Sequence, residues 1–298
     1  MAATKSRAKL YNRGAWVLTV PAFIPLFILS VVPLVQAVWT GFTDLQAGLN
    51  FKPKFIGLEN FRKLVGDGFF WNSFKIGIVW ALSVTILALV LGFGLALLLN
   101  QNLRFLGLMR VLSLVPWAMP PVIIAIMWQL LLNPSVGPVD SIFRFLHLPF
   151  ANKYLLGDFS TAFPTAVVIG AWVGMPVITV SILAALQGIS SEVIESAKID
   201  GANAWNRFRF VTLPAVRSIT TALVALNIIW NFNSFGLVFV LTGGGPGGKT
   251  YLPALFVYNE SFKYGNFGYA ASMGIVMTIS VILMLLVYLK ARSREDES

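Results

Sequence analysis

The chain has 298 residues, of which 57% are hydrophobic and only 11% are charged. Soluble proteins carry about 25% charged residues, so this composition excludes an ordinary soluble domain and predicts an all-α, polytopic membrane protein. The net charge of +10 does not indicate nucleic-acid binding, because basic residues beside membrane spans are attracted to anionic lipid. The chain has no cysteine, which excludes disulfides and thiolate metal sites, and we expect no metal site.

Six stretches reach the length of about 20 predominantly apolar residues with which a helix crosses a membrane. None of them contains Asp, Glu, Lys, Arg or His, as expected when each charge at a helix centre costs roughly 2.5 to 3.5 kcal/mol to insert. One membrane domain, 15–289, is then flanked by tails at 1–14 and 290–298. The predicted transmembrane helices are 15–39, 76–99, 111–132, 162–186, 219–241 and 269–289.

The first apolar run follows a basic stretch, as the core of a signal peptide does. Its roughly 25 residues exceed the 7 to 15 of a cleaved signal, so we interpret it as a retained helix. Cytoplasmic loops carry the excess of Lys and Arg, which places both termini in the cytoplasm. Lys and Arg are denser in the segments 1–14, 100–110, 187–218 and 290–298 than in 40–75, 133–161 and 242–268.

Proline recurs inside three of the predicted spans, the first, the third and the fourth. Each proline removes one backbone hydrogen bond and bends the helix, and the freed groups must find partners in neighbouring helices. Bent helices suit a cavity that opens and closes, but proline is also simply more frequent in membrane helices than in soluble ones. The prolines are Pro21, Pro25, Pro33, Pro116, Pro120, Pro121, Pro164 and Pro176.

The inner loop 187–218 is amphipathic and predicts two short helices separated by Gly201. Ser190 or Ser191 can cap the first helix, and Glu192 lies in its first turn, where a negative charge is favoured. Gly201 can supply the left-handed residue that ends it. Taken alone, the pattern also fits a hairpin that lies on lipid headgroups. The second helix has an apolar stripe formed by Ala204, Trp205 and Phe208.

The spacing within this loop is more specific than its amphipathicity. Glu195-Ser196-Ala197 is followed after three residues by Gly201, and nine residues further by Val211-Thr212-Leu213-Pro214. This resembles the "EAA" loop of the membrane subunits of bacterial ABC importers, with Ser196 in place of Ala and Val211 in place of Ile. The resemblance implies that the loop forms the coupling helices that dock on a cytoplasmic ATPase. The residues carrying that role are Glu195, Ser196, Ala197, Asp200, Gly201, Ala202, Phe208, Leu213 and Pro214.

Further segments narrow the resemblance to carbohydrate-type permeases, as in maltose, trehalose and glycerol-3-phosphate uptake. It implies a type I ABC importer permease fold in a bacterial or archaeal cytoplasmic membrane. The chain is then the permease subunit of a binding-protein-dependent importer, and it forms the path for a sugar or related polyol by alternating access. The segments are 55–61, 200–202, 212–214 and 241–246.

The same resemblance implies the partners. They are a second homologous permease, usually a different chain, two ATPase subunits, an extracytoplasmic solute-binding protein, a sugar substrate and membrane lipid. ATP and Mg belong to the ATPase subunits, so this chain is expected to be no enzyme, with no catalytic residue and no bound cofactor of its own.

A second motif competes with that expectation. Gly243, Gly248, Lys249 and Thr250 fit the G-x-x-x-x-G-K-[ST] pattern of phosphate-binding loops. That pattern needs a strand before it and a helix after it, whereas here a membrane helix precedes it and Pro246 removes one backbone N–H donor. We therefore interpret the segment as a flexible outer turn without nucleotide.

The fifth span holds the densest group of neutral polar and aromatic side chains. Such groups suit a hydroxyl-rich solute in a low-dielectric path, because buried polar groups must be paired and sugar rings present apolar faces. Asn227, Trp230, Asn231 and Ser234 lie on one helical stripe. The resemblance points to the same stripe and to the region of Trp172 and Gly174 in the fourth span.

Two observations concern the identity of the sugar and the role of the asparagines in this path. Pro121 and Gly170 occupy places where a polar group would help, which puts maltose itself in doubt. The asparagines also suit hydrogen bonds between helices of two subunits, since Asn joins helices in membranes.

The main alternative is an ion-coupled secondary transporter or a channel for a small neutral solute. Proton relays and ion sites in membranes normally use Asp, Glu or His, which the six spans lack, although unwound backbone also binds Na⁺. An enzyme ranks lowest, because His147 has no Ser or carboxylate partner visible in the sequence.

Overall fold

The computed structural model describes residues 21, 23–25, 27–48 and 52–296. The predicted tail 1–14 and the start of the first span, 15–20, lie outside the described residues. The helices are α1 (Val32–Gly41), α2 (Glu59–Val65), α3 (Gly68–Leu99), α4 (Leu106–Ala118), α5 (Pro121–Leu131), α6 (Pro138–Phe145), α7 (Ala162–Gln187), α8 (Ser191–Ile199), α9 (Ala204–Arg207), α10 (Leu213–Phe232), α11 (Gly236–Leu241), α12 (Pro253–Tyr258) and α13 (Phe267–Asp296). Single π-helical turns cover Phe27–Val31, Phe208–Thr212 and Asn259–Lys263.

The polytopic all-α fold is confirmed. Within the described ranges, five helical segments are long and apolar enough to cross a membrane, and the bent pair of α4 and α5 is a sixth if it counts as one span. The only β-structure assigned in the same ranges is one isolated bridge between Thr43 and Phe55. The five segments are Phe23–Gly41, Gly68–Leu99, Ala162–Gln187, Ala204–Phe232 and Phe267–Lys290.

The third predicted span, 111–132, is not one continuous helix. Helix α4 ends at Ala118, α5 begins at Pro121, and the two axes meet at 99°. Met119 and Pro120 both have extended backbone, with ψ of 138° and 136°. The reason is local, because a residue that precedes proline is driven out of the helical region. Pro176, in contrast, lies inside the continuous helix α7, so a proline alone does not locate a break.

The fifth predicted span, 219–241, is also interrupted. Helix α10 ends at Phe232, and α11 begins only at Gly236. The side-chain amide of Asn233 donates to the carbonyl oxygen of Ile229 at 2.9 Å. Such a side-chain bond competes with the backbone hydrogen bonds that would continue the helix. At its other end α10 starts earlier than predicted, because α9, the π-helical turn and α10 are continuous. The second short helix of the inner loop is thus the beginning of this span.

The chain divides into two compact units. The first comprises residues 1–67 and 257–279. Its anchor is Asn60, whose side-chain amide donates to the carbonyl oxygens of Gly41 at 3.0 Å and Thr43 at 2.9 Å. The hydroxyl of Tyr269 donates to Asp67 at 2.6 Å. Asn60 belongs to the 55–61 motif, so in this unit the motif ties the segment after α1 to α2.

The second unit comprises residues 68–256 and 280–298, and its centre is the packing of α3 against α7. Small residues allow the two helices to approach closely. A Cβ on Gly92 would lie 2.9 Å from Ile178, and one on Gly170 would lie 3.1 Å from the ring of Trp80. Helices α10 and α5 complete this unit around the same core.

The turn after α11 is tightly hydrogen-bonded, which differs from the flexible turn that the sequence predicted. Thr250 is fully buried, and its hydroxyl lies 2.7 Å from that of Thr242 and donates to the carbonyl of Gly245 at 2.8 Å. In a phosphate-binding loop this hydroxyl would hold Mg²⁺. Here it is engaged inside the turn, so the geometry argues against nucleotide binding.

Candidate functional site

The two broken spans meet at one cavity of about 340 Å³ in the second unit. Trp117 and Pro121 line it from either side of the α4–α5 break, and Ser234, Phe235 and Gly236 line it from the α10–α11 connection. Non-helical backbone at membrane depth is tolerated where it is buried in protein or lines a cavity, and discontinuous helices form the binding sites of many transporters. The remaining lining residues are Trp80, Gly170, Val173, Gly174, Val177, Asn227, Trp230, Asn231 and Leu237.

The structure brings five of the six predicted path residues to this cavity. Trp172 is the exception, because its ring packs edge-on against Trp128 at 5.7 Å, among core side chains. Ser234 lies beyond the end of α10, so the predicted stripe is three helical residues and one in the connection. The five residues are Gly174, Asn227, Trp230, Asn231 and Ser234.

The asparagine side chains are held in defined orientations. Asn227 is buried and donates to the carbonyl of Leu223 at 2.9 Å, while its side-chain oxygen lies 3.8 Å from where a Cβ on Gly174 would sit. Asn231 donates to the hydroxyl of Thr85 on α3 at 3.3 Å. Asn231 therefore joins α10 to α3, whereas Asn227 bonds within α10, and both asparagines line the cavity.

Three residues at the cavity were not predicted from the sequence. Trp80 and Trp117 line it, and Thr85 bonds to Asn231. Trp80 is 1% exposed and Trp117 is 62% exposed, and both lie in spans whose residues are apolar on every side. No periodic signal separates such aromatics from core or lipid-facing ones. Three tryptophans and three neutral polar side chains thus surround the cavity, and among the described residues its lining contains no ionisable group.

The inner loop begins with helix α8, whose ends are set by local chemistry. The Ser190 hydroxyl accepts the N–H of Glu192 at 3.3 Å, as predicted for a capping serine. At the other end Gly201 has φ +79°, in the left-handed region that the sequence predicted. The N–H of Gly201 bonds to the carbonyl of Lys198 at 3.1 Å, and that of Ala202 bonds to Ala197 at 2.9 Å. This pair of bonds is a Schellman motif.

The turn after α8 is joined to the next helix by Arg207. Its guanidinium donates to the carbonyl oxygen of Ala202 at 2.7 Å. Phe208 packs edge-on against Phe93 of α3 at 5.8 Å between ring centroids. Pro214 has no N–H to donate to the turn before it, and there the helix widens, with the N–H of Leu213 bonded to Phe208. These contacts fix the direction in which the loop enters α10.

Several solvent-exposed side chains of the inner loop are apolar. Val193 is 49% exposed, Ile199 86%, Trp205 63% and Phe210 69%, and exposed apolar patches are typical of interaction sites. An open groove of about 720 Å³ runs between the end of α7, α8 and the start of α10. Of the predicted coupling residues, Glu195, Ser196, Asp200, Gly201, Leu213 and Pro214 are exposed, and Ala197, Ala202 and Phe208 are half-buried.

The sequence is similar to those of known transport permeases. The trehalose/maltose transport system permease protein MalF of Thermococcus litoralis is 31% identical over 295 residues, which cover 97% of this chain and 98% of that protein. The probable starch degradation products transport system permease protein AmyD of Thermoanaerobacterium thermosulfurigenes is 28% identical, covering 98% and 99%. The chain is thus similar over its whole length to permease proteins.

The fold is also similar to solved structures. A bacterial ABC transporter involved in the import of the acidic polysaccharide alginate contains a chain that matches with a TM-score of 0.77 at 20% identity, covering 99% of both chains. At that identity the likeness shows the fold. Residues 88–294 match the model of one family, described as the binding-protein-dependent transport system inner membrane component. The chain belongs to this family of membrane permease subunits.

Proposed function

We propose that this permease carries an uncharged saccharide and that the tryptophan-lined cavity is its binding site. The observation that carries the proposal is the convergence of two broken spans on this cavity, whose lining has aromatic faces and neutral hydrogen-bonding groups. Aromatic faces suit the apolar faces of sugar rings, and amide and hydroxyl groups pair with sugar hydroxyls. The relatives named for trehalose, maltose and starch products support this substrate class.

The lining also separates this chain from an importer of acidic polymers. An anionic saccharide in a low-dielectric site needs a cationic partner, because an unpaired buried charge is costly. The described lining offers no Lys or Arg. A neutral sugar or polyol therefore fits the cavity better than an acidic one.

We propose further that the inner loop receives the driving force from a separate ATPase. Reversing a two-state transporter from mostly inward-facing to mostly outward-facing takes about 5.5 kcal/mol of differential binding. The exposed apolar side chains of α8 and α9 are the surface to which we expect this partner to bind. The full assembly would contain a second permease, two ATPase subunits that hold ATP and Mg, and a solute-binding protein outside, with both termini of this chain in the cytoplasm.

The test is ATP-driven uptake of labelled trehalose and maltose into proteoliposomes that contain the assembled transporter and its binding protein. Trp230→Ala and Asn231→Ala should each lower uptake. Leu226→Ala is the matched control, because Leu226 is on the same helix, is 47% exposed and does not line the cavity. Uptake as fast in the Trp230→Ala and Asn231→Ala variants as in the Leu226→Ala control would show that the sugar does not pass through this cavity. Uptake that survives ATP depletion but stops when an ion gradient is dissipated would establish the ion-coupled alternative instead.

A further inference from the structure

Helix α6 has one broad apolar face, and only part of that face packs against the protein. Val139 and Phe143 pack against the hydrophobic core. Beyond this part Ile142 is 54% exposed, Phe145 81% and Leu146 55%. A helix of a soluble protein turns its outer face to water and makes it polar. The outer face of α6 is therefore unsuited to water.

This exposed face is held in place. Asp140, on the inner side of α6, is 3% exposed and accepts the N–H of Asn152 at 2.6 Å. Arg144 pairs with the same carboxylate at 3.2 Å. Because these contacts fix the rotation of α6 about its axis, the outward direction of Phe145 is a built feature of the fold.

The turn after α6 extends the same surface. His147 has φ +52°, and the N–H of Leu148 bonds to the carbonyl of Phe143 at 2.9 Å, so the chain reverses immediately after the helix. Phe150 returns to within 6.0 Å of Phe143, ring to ring. Leu148 and Phe150 remain 38% and 43% exposed, which adds two apolar side chains to Ile142, Phe145 and Leu146.

This surface is continuous, through an apolar groove, with an exposed part of the spanning helix α7. An apolar groove of about 340 Å³ joins α6 to α5 and α7, and its lining includes Phe143, Phe150 and Val168. Val168 belongs to the spanning helix α7 and is 52% exposed. In a family of membrane proteins we expect this exposed side chain to face lipid, and the groove would then extend the lipid contact from α7 to α6.

We propose that α6 and the following turn lie in the boundary between lipid headgroups and acyl chains. The exposed apolar side chains would enter the acyl region, while Arg144 and Lys153 stay at headgroup level. Short helices with one apolar face bind membranes in this way. The partner of this surface is the bilayer itself, and a protein partner such as a solute-binding protein is the alternative outcome of the test. The proposal does not depend on the transported solute.

The chain has no cysteine, so single-cysteine spin labelling needs no background substitutions. We would label Phe145→Cys and Ile142→Cys in the full chain reconstituted in lipid vesicles without a binding protein. Lys153→Cys is the polar control in the same segment, and Val168→Cys is the lipid-facing control. The readout is relaxation of each label by oxygen, which partitions into lipid, and by a water-soluble nickel chelate.

Labels at 142 and 145 should be relaxed more by oxygen than by nickel, as at 168, and the order should reverse at 153. Nickel relaxation at 145 as strong as at 153 would place the surface in water and overturn the proposal. Protection of 145 from both reagents would mean that protein covers it, which also overturns the proposal. Two labelled positions guard against a fold defect in one variant, and elution as a single peak in size-exclusion chromatography checks each of them.

Discussion

The side-chain amide of Asn231 donates a hydrogen bond to the hydroxyl of Thr85, 3.3 Å away on a helix 146 residues earlier in the chain. Thr85 is 1% exposed, so the bond forms in the interior of the second unit. It fixes the orientation of an amide that lines the proposed sugar site, although Thr85 itself does not line the cavity.

Replacing Thr85 by Val is expected to raise the KM for sugar uptake with little change in Vmax. The loss of one hydrogen bond is worth about 1 kcal/mol, which corresponds to about a fivefold weaker apparent affinity. Thr85→Ser should restore the KM. Thr179→Val is the matched control, because Thr179 is equally buried but donates to Met175 of its own helix at 2.9 Å. The same KM change in that control would contradict the positioning role.

Gly201 should tolerate no side chain without a loss of coupling. Its φ of +79° costs other residues about 1–2 kcal/mol, although nothing lies within 4 Å of an added Cβ. Gly201→Ala is therefore expected to lower substrate-stimulated ATP hydrolysis by the assembled transporter, and Gly201→Val to lower it further. Gly107→Ala is the control, since Gly107 has equal space and no positive φ. Unchanged stimulation in Gly201→Val would show that the turn is not needed for coupling.

Gln129 of α5 is expected to stabilise the C-terminal end of α11. Its side-chain amide donates to the carbonyl oxygens of Val240 at 2.8 Å and Leu241 at 3.0 Å, at the end of α11. Gln129→Leu leaves both acceptors without this donor, at a cost of about 1–3 kcal/mol. Thermal unfolding in detergent should show a lower Tm than for Gln187→Leu, a change at an exposed glutamine. Equal Tm values would mean that water replaces the lost donor.

The start of α7 should become less stable in acid. Asp158 accepts hydrogen bonds from the hydroxyl and N–H of Ser160 and from the N–H of Thr161, which lower the pKa of its carboxyl below the ordinary value. A lowered folded pKa contributes stability above the unfolded pKa of about 4, and this stability is lost as the pH falls through the folded pKa. Hydrogen exchange at residues 160–165 should therefore increase below about pH 4. Asp158→Asn should remove that dependence, and a persisting dependence would assign it to another group.

Much of the fold was predictable, because the bilayer imposes simple length and polarity rules. The cap at Ser190 and the left-handed Gly201 of the inner loop were also predictable, since each depends on a few adjacent residues, whereas the coupling role of the loop stays a prediction. The breaks were not predictable. Pro116 and Pro176 lie inside continuous helices while Pro120 lies at a break, because a proline can kink a helix without ending it.

The same limit applies to the cavity. Periodicity placed Asn227, Trp230 and Asn231 on one face, but it could not show that Trp172 turns toward Trp128 or that Thr85 supports Asn231. Those contacts depend on which helices become neighbours, and a single sequence without charged residues in its spans gives little information about pairing. The cluster of polar side chains was predictable from the sequence, whereas Trp80, Trp117 and Thr85 around it were not.

The unbroken helical segment Ala204–Phe232 has 29 residues, and at about 1.5 Å per residue it is about 43 Å long. One end is tied by Arg207 to the turn after α8, and the other end carries Trp230 and Asn231. Such a segment acts as a stiff lever. A tilt of about 10° at its inner end would displace its outer end by about 7 Å, given that length. If the proposed ATPase partner pushes on the inner loop, the movement would thus reach the proposed sugar site through a continuous helix.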